Sequence, residues 1–147
     1  MLGILPVFAT FLTTSCGLVE LEGSKNGNLD GYWHMETVDT LSNGGSLDLR
    51  KERRFWMVQG TIFQLYSPDI LDGQRYVSHF QHEGGQLTIN KIYFDKRESG
   101  DPAVEDVENL RPFGINNIDG ETFQVDELTG SRMTLRSETL RLTFKKH

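Results

Sequence analysis

The sequence predicts an all-β chain: a closed antiparallel barrel of seven or eight short strands with one short helix packed outside it. Three observations lead there. Seven segments between residues 31 and 144 are rich in aromatic and β-branched residues, and most alternate apolar with polar side chains at period two. Glycine-bearing turn sequences, "EGGQ" at 83–86 and "LTGS" at 128–131, separate neighbouring segments as antiparallel hairpins require. Several segments are partly apolar on both faces, notably "RFWMVQGTIFQLY" at 54–66, which suits a closed barrel better than an open sandwich. Closure also removes strand edges that would invite aggregation.

Taken in order, the strands are expected at 31–40, 54–66, 75–83, 86–94, 122–128, 132–137 and 139–144. Gly60 either bends a long strand in the second segment or ends one. The last pair has the clearest pattern. Met133 and Leu135 face one way, as do Leu140, Leu142 and Phe144 across the turn, while Arg132, Thr134, Arg136, Arg141 and Thr143 face the other. That is an antiparallel hairpin with one dry and one wet face. Between strands, "DPAVEDVENLRPFG" predicts the helix over 101–114. Asp101 stands as N-cap and Pro102 at the first position, Ala103, Val107 and Leu110 form a narrow apolar stripe, and Pro112 with Gly114 ends the element.

Ahead of the strands the sequence changes character. Residues 2–12, "LGILPVFATFL", carry no charge and have the length of a signal-peptide core, short of the ~20 apolar residues that a membrane-spanning helix needs. The small and hydroxyl residues Thr13, Thr14 and Ser15 then lead into Cys16, the single cysteine. This arrangement resembles the lipobox of bacterial lipoproteins, with Thr13 standing where that motif usually has Leu. The resemblance implies cleavage after residue 15 and acylation of Cys16. Acylation also accounts for an exported thiol that has no disulfide partner, and two or three acyl chains at about 0.8 kcal/mol per methylene make a stable anchor. The organisation expected is a signal peptide over 1–15, a flexible tether over 16–28 and a barrel domain over 29–147. Gly17 follows the cysteine, so the aspartate that retains some lipoproteins in the inner membrane is absent. The resemblance therefore implies the outer membrane, on its periplasmic or its surface face. The 132 residues left after cleavage suffice for one domain with a real core.

The stretch "LDGYWHMETV" resembles the opening of lipocalin-type (calycin) barrels, in which Gly-X-Trp on the first strand sets a tryptophan at the closed end; Gly31, Tyr32 and Trp33 match it. The run from Leu110 to Lys146 is similar to the lipocalin-like domains of unknown function in small exported lipoproteins of Gram-negative bacteria. The resemblance implies a barrel over nearly the whole mature chain. It also implies a basic side chain from the last strand over Trp33, for which Arg141 is the candidate, a cation–π contact of about 0.5–1 kcal/mol if exposed.

Chemistry-bearing patterns are sparse. His79 and His82 stand three apart on a strand, so they face opposite ways and cannot share an ion with His34 without a bulge; no metal site and no cofactor are expected. The serines lie in turns without a strand-to-helix elbow, and the acidic clusters "EDVE" (105–108) and "VDEL" (125–128) read as solvated faces. Glycine pairs at 44–45 and 84–85 lack a following lysine or helix. No catalytic residue emerges, and an enzyme is not expected. The net charge of −6 argues against a nucleic-acid partner. Two basic stretches, "RKERR" at 50–54 and the last seventeen residues with a local charge of +4, read as faces paired to acidic neighbours that guard strand edges.

The expectation is a monomeric, lipid-anchored envelope protein that acts by binding. Trp33, Trp56, Phe63, Tyr76, Phe80 and Met133 are the candidates for a barrel interior holding a small apolar or amphipathic ligand. Aromatics in such number either fill the barrel or leave a cavity. A filled barrel points instead to a protein-interaction module, an inhibitor or accessory subunit of an envelope complex that works through its outer wall.

Overall fold

A computed structural model describes residues 26–147. The expected signal peptide, Cys16 and residues 17–25 of the expected tether lie outside the described residues. The chain forms ten strands: β1 (Gly31–Thr40), β2 (Ser46–Asp48), β3 (Phe55–Gln59), β4 (Ile62–Tyr66), β5 (Tyr76–Glu83), β6 (Gln86–Ile89), β7 (Tyr93–Phe94), β8 (Glu121–Leu128), β9 (Arg132–Arg136) and β10 (Leu140–Lys146). Eight of them close a ring in the order β1-β3-β4-β5-β6-β8-β9-β10, and β10 pairs back to β1, all antiparallel. Gly60, at φ 61°, makes the turn that divides 54–66 into β3 and β4, and that division raises the seven expected segments to eight ring strands.

β2 and β7 are satellites. β2 pairs with the second half of β1, and β7 continues the line of β6 along β5 after a break at residues 90–92. The break has a local cause: Ser78 Oγ sits 2.9 Å from the carbonyl oxygens of both Asn90 and Lys91 and takes the chain off the ladder. At the other margin Gly27–Leu29 form a 3-10 turn, Leu29 is fully buried, and Asn26 Nδ2 donates to Gly60 O at 2.8 Å.

The helical element is present in a different form from the one expected. It comprises two consecutive 3-10 turns, Val107–Asn109 and Arg111–Phe113. Asp101 does not cap a helix: it stands at φ 51° and its carboxylate accepts from Lys96 N–H at 2.8 Å. Residues 102–104 run extended beside β7, with Phe94 N–H donating to Pro102 O, Ala103 bridged to Tyr93, and Val104 N–H donating to Ile92 O. The stripe of Ala103, Val107 and Leu110 gives way to a buried set at irregular spacing, Val104, Leu110, Phe113 and Ile115. Such spacing fits a plug of turns better than it fits one face of a helix.

Inward residues alternate along the ring strands and supply fourteen of the twenty-one buried apolar side chains of one core; the other seven, Leu29, Leu49, Ile92, Val104, Leu110, Phe113 and Ile115, come from the connections. Each contributes about 1.5–3 kcal/mol on burial when it is the size of Val, Leu or Phe. Trp56 sits at the centre, with ring centroids 5.0 Å from Phe63, 5.5 Å from Phe123 and 4.9 Å from Phe144, in edge-on or tilted geometry.

Candidate functional site

Strand topology gives the barrel two unlike ends. Tight turns at 60–61, 84–85 and 129–131 lie at one end with the start of β1, and the long connections at 41–54, 67–75 and 90–120 lie at the other, with the short turn at 137–139. The first end is sealed by Trp33. Its Nε1–H donates to Leu29 O at 2.8 Å, and the Lys146 ammonium lies 4.7 Å from its ring centroid while donating to Asn28 O at 3.0 Å. The basic residue over Trp33 is thus Lys146 and not Arg141. Parity explains the correction: Leu142, Phe144 and Lys146 share the inward face of β10, whereas Arg141 faces out, opposite Asp39 of β1. Gly31 makes the approach possible, because a Cβ there would come within 2.8 Å of Lys146 Cε.

The other end is the mouth, and the segment 104–115 fills it. Trp56 Nε1–H donates to Phe113 O at 3.0 Å, and Arg54 Nη1 donates to Pro112 O at 3.0 Å. The Phe113 ring stands 6.0 Å from that of Tyr76, which meets Phe94 on another side at 5.4 Å. Gly114, at φ 82°, lies where a Cβ would meet both Leu142 methyls at 2.8 Å, so the segment turns hard against β10. Two polar atoms in this region are buried without a hydrogen-bond partner among the described residues: Tyr76 Oη and Arg54 Nε. Burial alone pushes the Tyr76 phenol above its ordinary pKa.

The six interior candidates are distributed over this frame. Trp33 pairs with Trp56 across β1 and β3 but seals the base. Trp56 and Phe63 are in ring contact at the centre, and Tyr76 adjoins them through Phe113 at the mouth. Met133 is buried opposite Phe144. Phe80 is half-buried on β5, packed against the core and outside the ring cluster. Phe113, Phe123, Phe144 and Arg54 complete the mouth and centre and were not among the candidates. For Phe113 the only signal was its place between Pro112 and Gly114, which also reads as a helix terminator.

Other groups scatter. His79 faces out with Nδ1 3.1 Å from Thr61 O, His82 lies on the opposite face, and His34 Nε2 lies 2.6 Å from Glu52 O. Among the described residues no three His, Cys, Asp or Glu side chains are grouped as metal ligands. The basic stretches are paired in part: Arg50 with Asp48, Arg53 with Asp69, Arg132 with Glu36, and Arg136 with Asp126, while Lys51, Arg141 and Lys145 make no ion pair among the described residues. Hydrogen bonding from Arg136 holds the Asp126 carboxyl below the usual carboxylate range. No described helix is long and apolar enough to cross a membrane.

Comparison with known proteins agrees with this geometry. The family model for the lipocalin-like domain matches residues 10–147. The chain is similar to a lipocalin-like protein from Bacteroides uniformis, at 20% identity and a TM-score of 0.62 over 82% of this chain and 100% of that one. It also resembles an uncharacterized protein from Bacteroides eggerthii, at 18% identity and a TM-score of 0.60 over 80% of this chain and 98% of that one. A protein from Burkholderia xenovorans follows at 14% identity and a TM-score of 0.52, covering 80% and 82%. No curated protein matches the chain. None of these matches indicates an enzyme family, and a barrel of this kind is consistent with binding a small hydrophobic ligand. A closed eight-stranded ring, a Gly-X-Trp base under a lysine, and a family match across almost the whole length lead to one assignment: the chain belongs to the lipocalin-like domain family.

Proposed function

We propose that this protein is a lipid-anchored envelope lipoprotein that binds a small amphipathic molecule at the barrel mouth, with an apolar tail and an acceptor headgroup such as a carboxylate. The observation that carries the reading is the pair of buried donors, Tyr76 Oη–H and Arg54 Nε–H, that have no partner among the described residues and lie beside residues 112–113. A buried polar group without a partner costs about 1–3 kcal/mol, more when charged, so a ligand oxygen placed between segment and barrel gains what folding left unsatisfied. The tail takes the room that Phe113 now occupies next to Trp56 and Tyr76, and the segment 104–115 moves aside. Both donors suit an anion, since a guanidinium and a neutral phenol give hydrogen bonds and accept none from a carboxylate.

The test is a titration of the full chain with octanoate, followed by the fluorescence of Trp56. Saturable quenching is expected, strengthened by Phe113→Ala and weakened about tenfold by Arg54→Gln. A flat titration in both wild type and Phe113→Ala would sink the mouth as a ligand site. The anchor is tested separately, by intact mass of protein extracted from envelopes: the expected species begins at Cys16 and carries acyl chains, and Cys16→Ser releases the protein from the membrane fraction.

A second reading, a docking module with a filled barrel, has its own observation. Tyr32, His34, Phe55 and His147 form a ring cluster on the outer wall, with centroids 4.9 to 5.7 Å apart. Such a patch, only half-buried, marks a surface that works by contact.

A further inference from the structure

The outer wall holds a groove with a volume of about 880 Å³, separate from the mouth. Its floor is one cross-strand row. Tyr32 of β1 pairs with Met57 of β3, Met57 with Gln64 of β4, Gln64 with Val77 of β5, and Val77 with Tyr93 of β7. All of these side chains face away from the core, because their neighbours Trp33, Trp56, Leu65 and Tyr76 face into it. A parallel row, His34, Phe55 and Tyr66, with the Arg75 guanidinium 4.0 Å over the Tyr66 ring, runs alongside the floor and lies outside the groove's lining. Ile62 and Gln59 stand on the other side, and the loop 95–101 rises at the β5 end.

The rim of this apolar trough is acidic. Asp30, Asp95 and Asp101 line it against a single cation, Arg97. Asp30 and Asp101 are already engaged: Asn26 Nδ2 donates to Asp30 at 2.6 Å and Lys96 N–H donates to Asp101 at 2.8 Å. The Asp95 carboxylate is only partly exposed and makes no hydrogen bond or ion pair among the described residues. A half-buried carboxylate at the end of an apolar floor calls for a counter-charge carried on an apolar body.

We infer that this groove is a second binding site, specific for a small amphipathic cation whose apolar chain lies across Met57, Ile62 and Val77 and whose ammonium meets Asp95. It differs from the mouth in location and in charge preference, so the two readings stand or fall separately. Two-dimensional amide NMR of the full chain, titrated with n-octylamine below its micelle concentration, tests it. Saturable shifts are expected at Tyr32, Met57, Gln64, Val77 and Asp95. Asp95→Asn should weaken the affinity about fivefold, and Val77→Lys, an outward substitution that leaves the core signals in place, should abolish it. Octanoate should leave these five amides unmoved whether or not it binds at the mouth. Three results would overturn the inference: octylamine shifts confined to interior residues such as Trp56 and Phe113, equal response to octanoate in the groove, or a concentration-dependent dimer that Val77→Lys dissociates, which would make the occupant a second copy of the chain.

Discussion

Tyr76 concentrates the tension between folding and function in one side chain. Its ring is fully buried against Phe94 and Phe113, yet its hydroxyl has no partner among the described residues. Removing that oxygen should cost the fold nothing, and Tyr76→Phe is expected to raise stability by about 1 kcal/mol in urea or thermal unfolding. The pH dependence has a definite sign. Burial raises the folded-state pKa of this phenol, so its contribution is intact below the unfolded value near 10 and is lost as the pH climbs from there toward the folded value. The phenylalanine variant should therefore hold its stability better above about pH 10. Lys146 shows what residue-level reading can and cannot reach. That a cation from the last strand covers Trp33 was legible through the Gly31–Trp33 motif. Its identity follows from the alternation of β10, which continues the inward face of Leu142 and Phe144 to Lys146, and from the register Trp33↔Lys146 at the ring seam, which pairs residues more than a hundred positions apart.

Among the elements, strands and helix differed in how well they could be read, for a physical reason. A ring strand is half in and half out, so its period of two is written into its own residues; the hairpin of β9 and β10 follows its pattern, with Leu142 opposite Leu135 and Phe144 opposite Met133. The segment 101–114 has the cap, proline and acids of a helix start, but its structure is dictated by the hole it fills. Pairing of 102–104 with β7 removes the first turn, and burial of Leu110 and Phe113 selects tight turns over a regular helix. Gly114 is the point on which that plug hinges. Gly114→Ala would add a Cβ at φ 82° within 2.8 Å of both Leu142 methyls, and the expected loss is about 1–3 kcal/mol. Thermal unfolding should register a fall of several degrees, with a change in Trp56 emission as Phe113 O withdraws from the indole. The groove floor, by contrast, was invisible in advance: Tyr32, Met57, Gln64 and Val77 belong to four strands and become one row only through their pairings.

At the scale of the molecule, closure divides the protein into a rigid ring and a less constrained mouth. The seam runs from Trp33↔Lys146 to Thr40↔Leu140, with a bulge between Met35 and Thr37 and a hydroxyl pair, Thr37 with Thr143, beside it. Residues 95–111 are held by short turns and a two-residue satellite strand, with most side chains exposed. Hydrogen exchange followed by mass spectrometry should resolve the difference: β1, β8, β9 and β10 protected close to the global unfolding limit, and 95–111 exchanging through a lower-energy opening. Equal protection across both would mean that the mouth opens only when the barrel does, and would leave the ligand reading without an entrance. The charge distribution belongs to this scale too. Exposed ion pairs such as Arg136 with Asp126 are screened by solvent and add little to the stability of the fold.

Because Asn26 hooks onto the Gly60 turn and Lys146 reaches back to Asn28, the entering and leaving strands meet at the sealed floor. Were the proposed acylation of Cys16 to fix the chain to a surface, a pull arriving at Asn26 would tug on the keel of the cup. Its rim, with Phe113 as the stopper, would then face outward into the surrounding fluid.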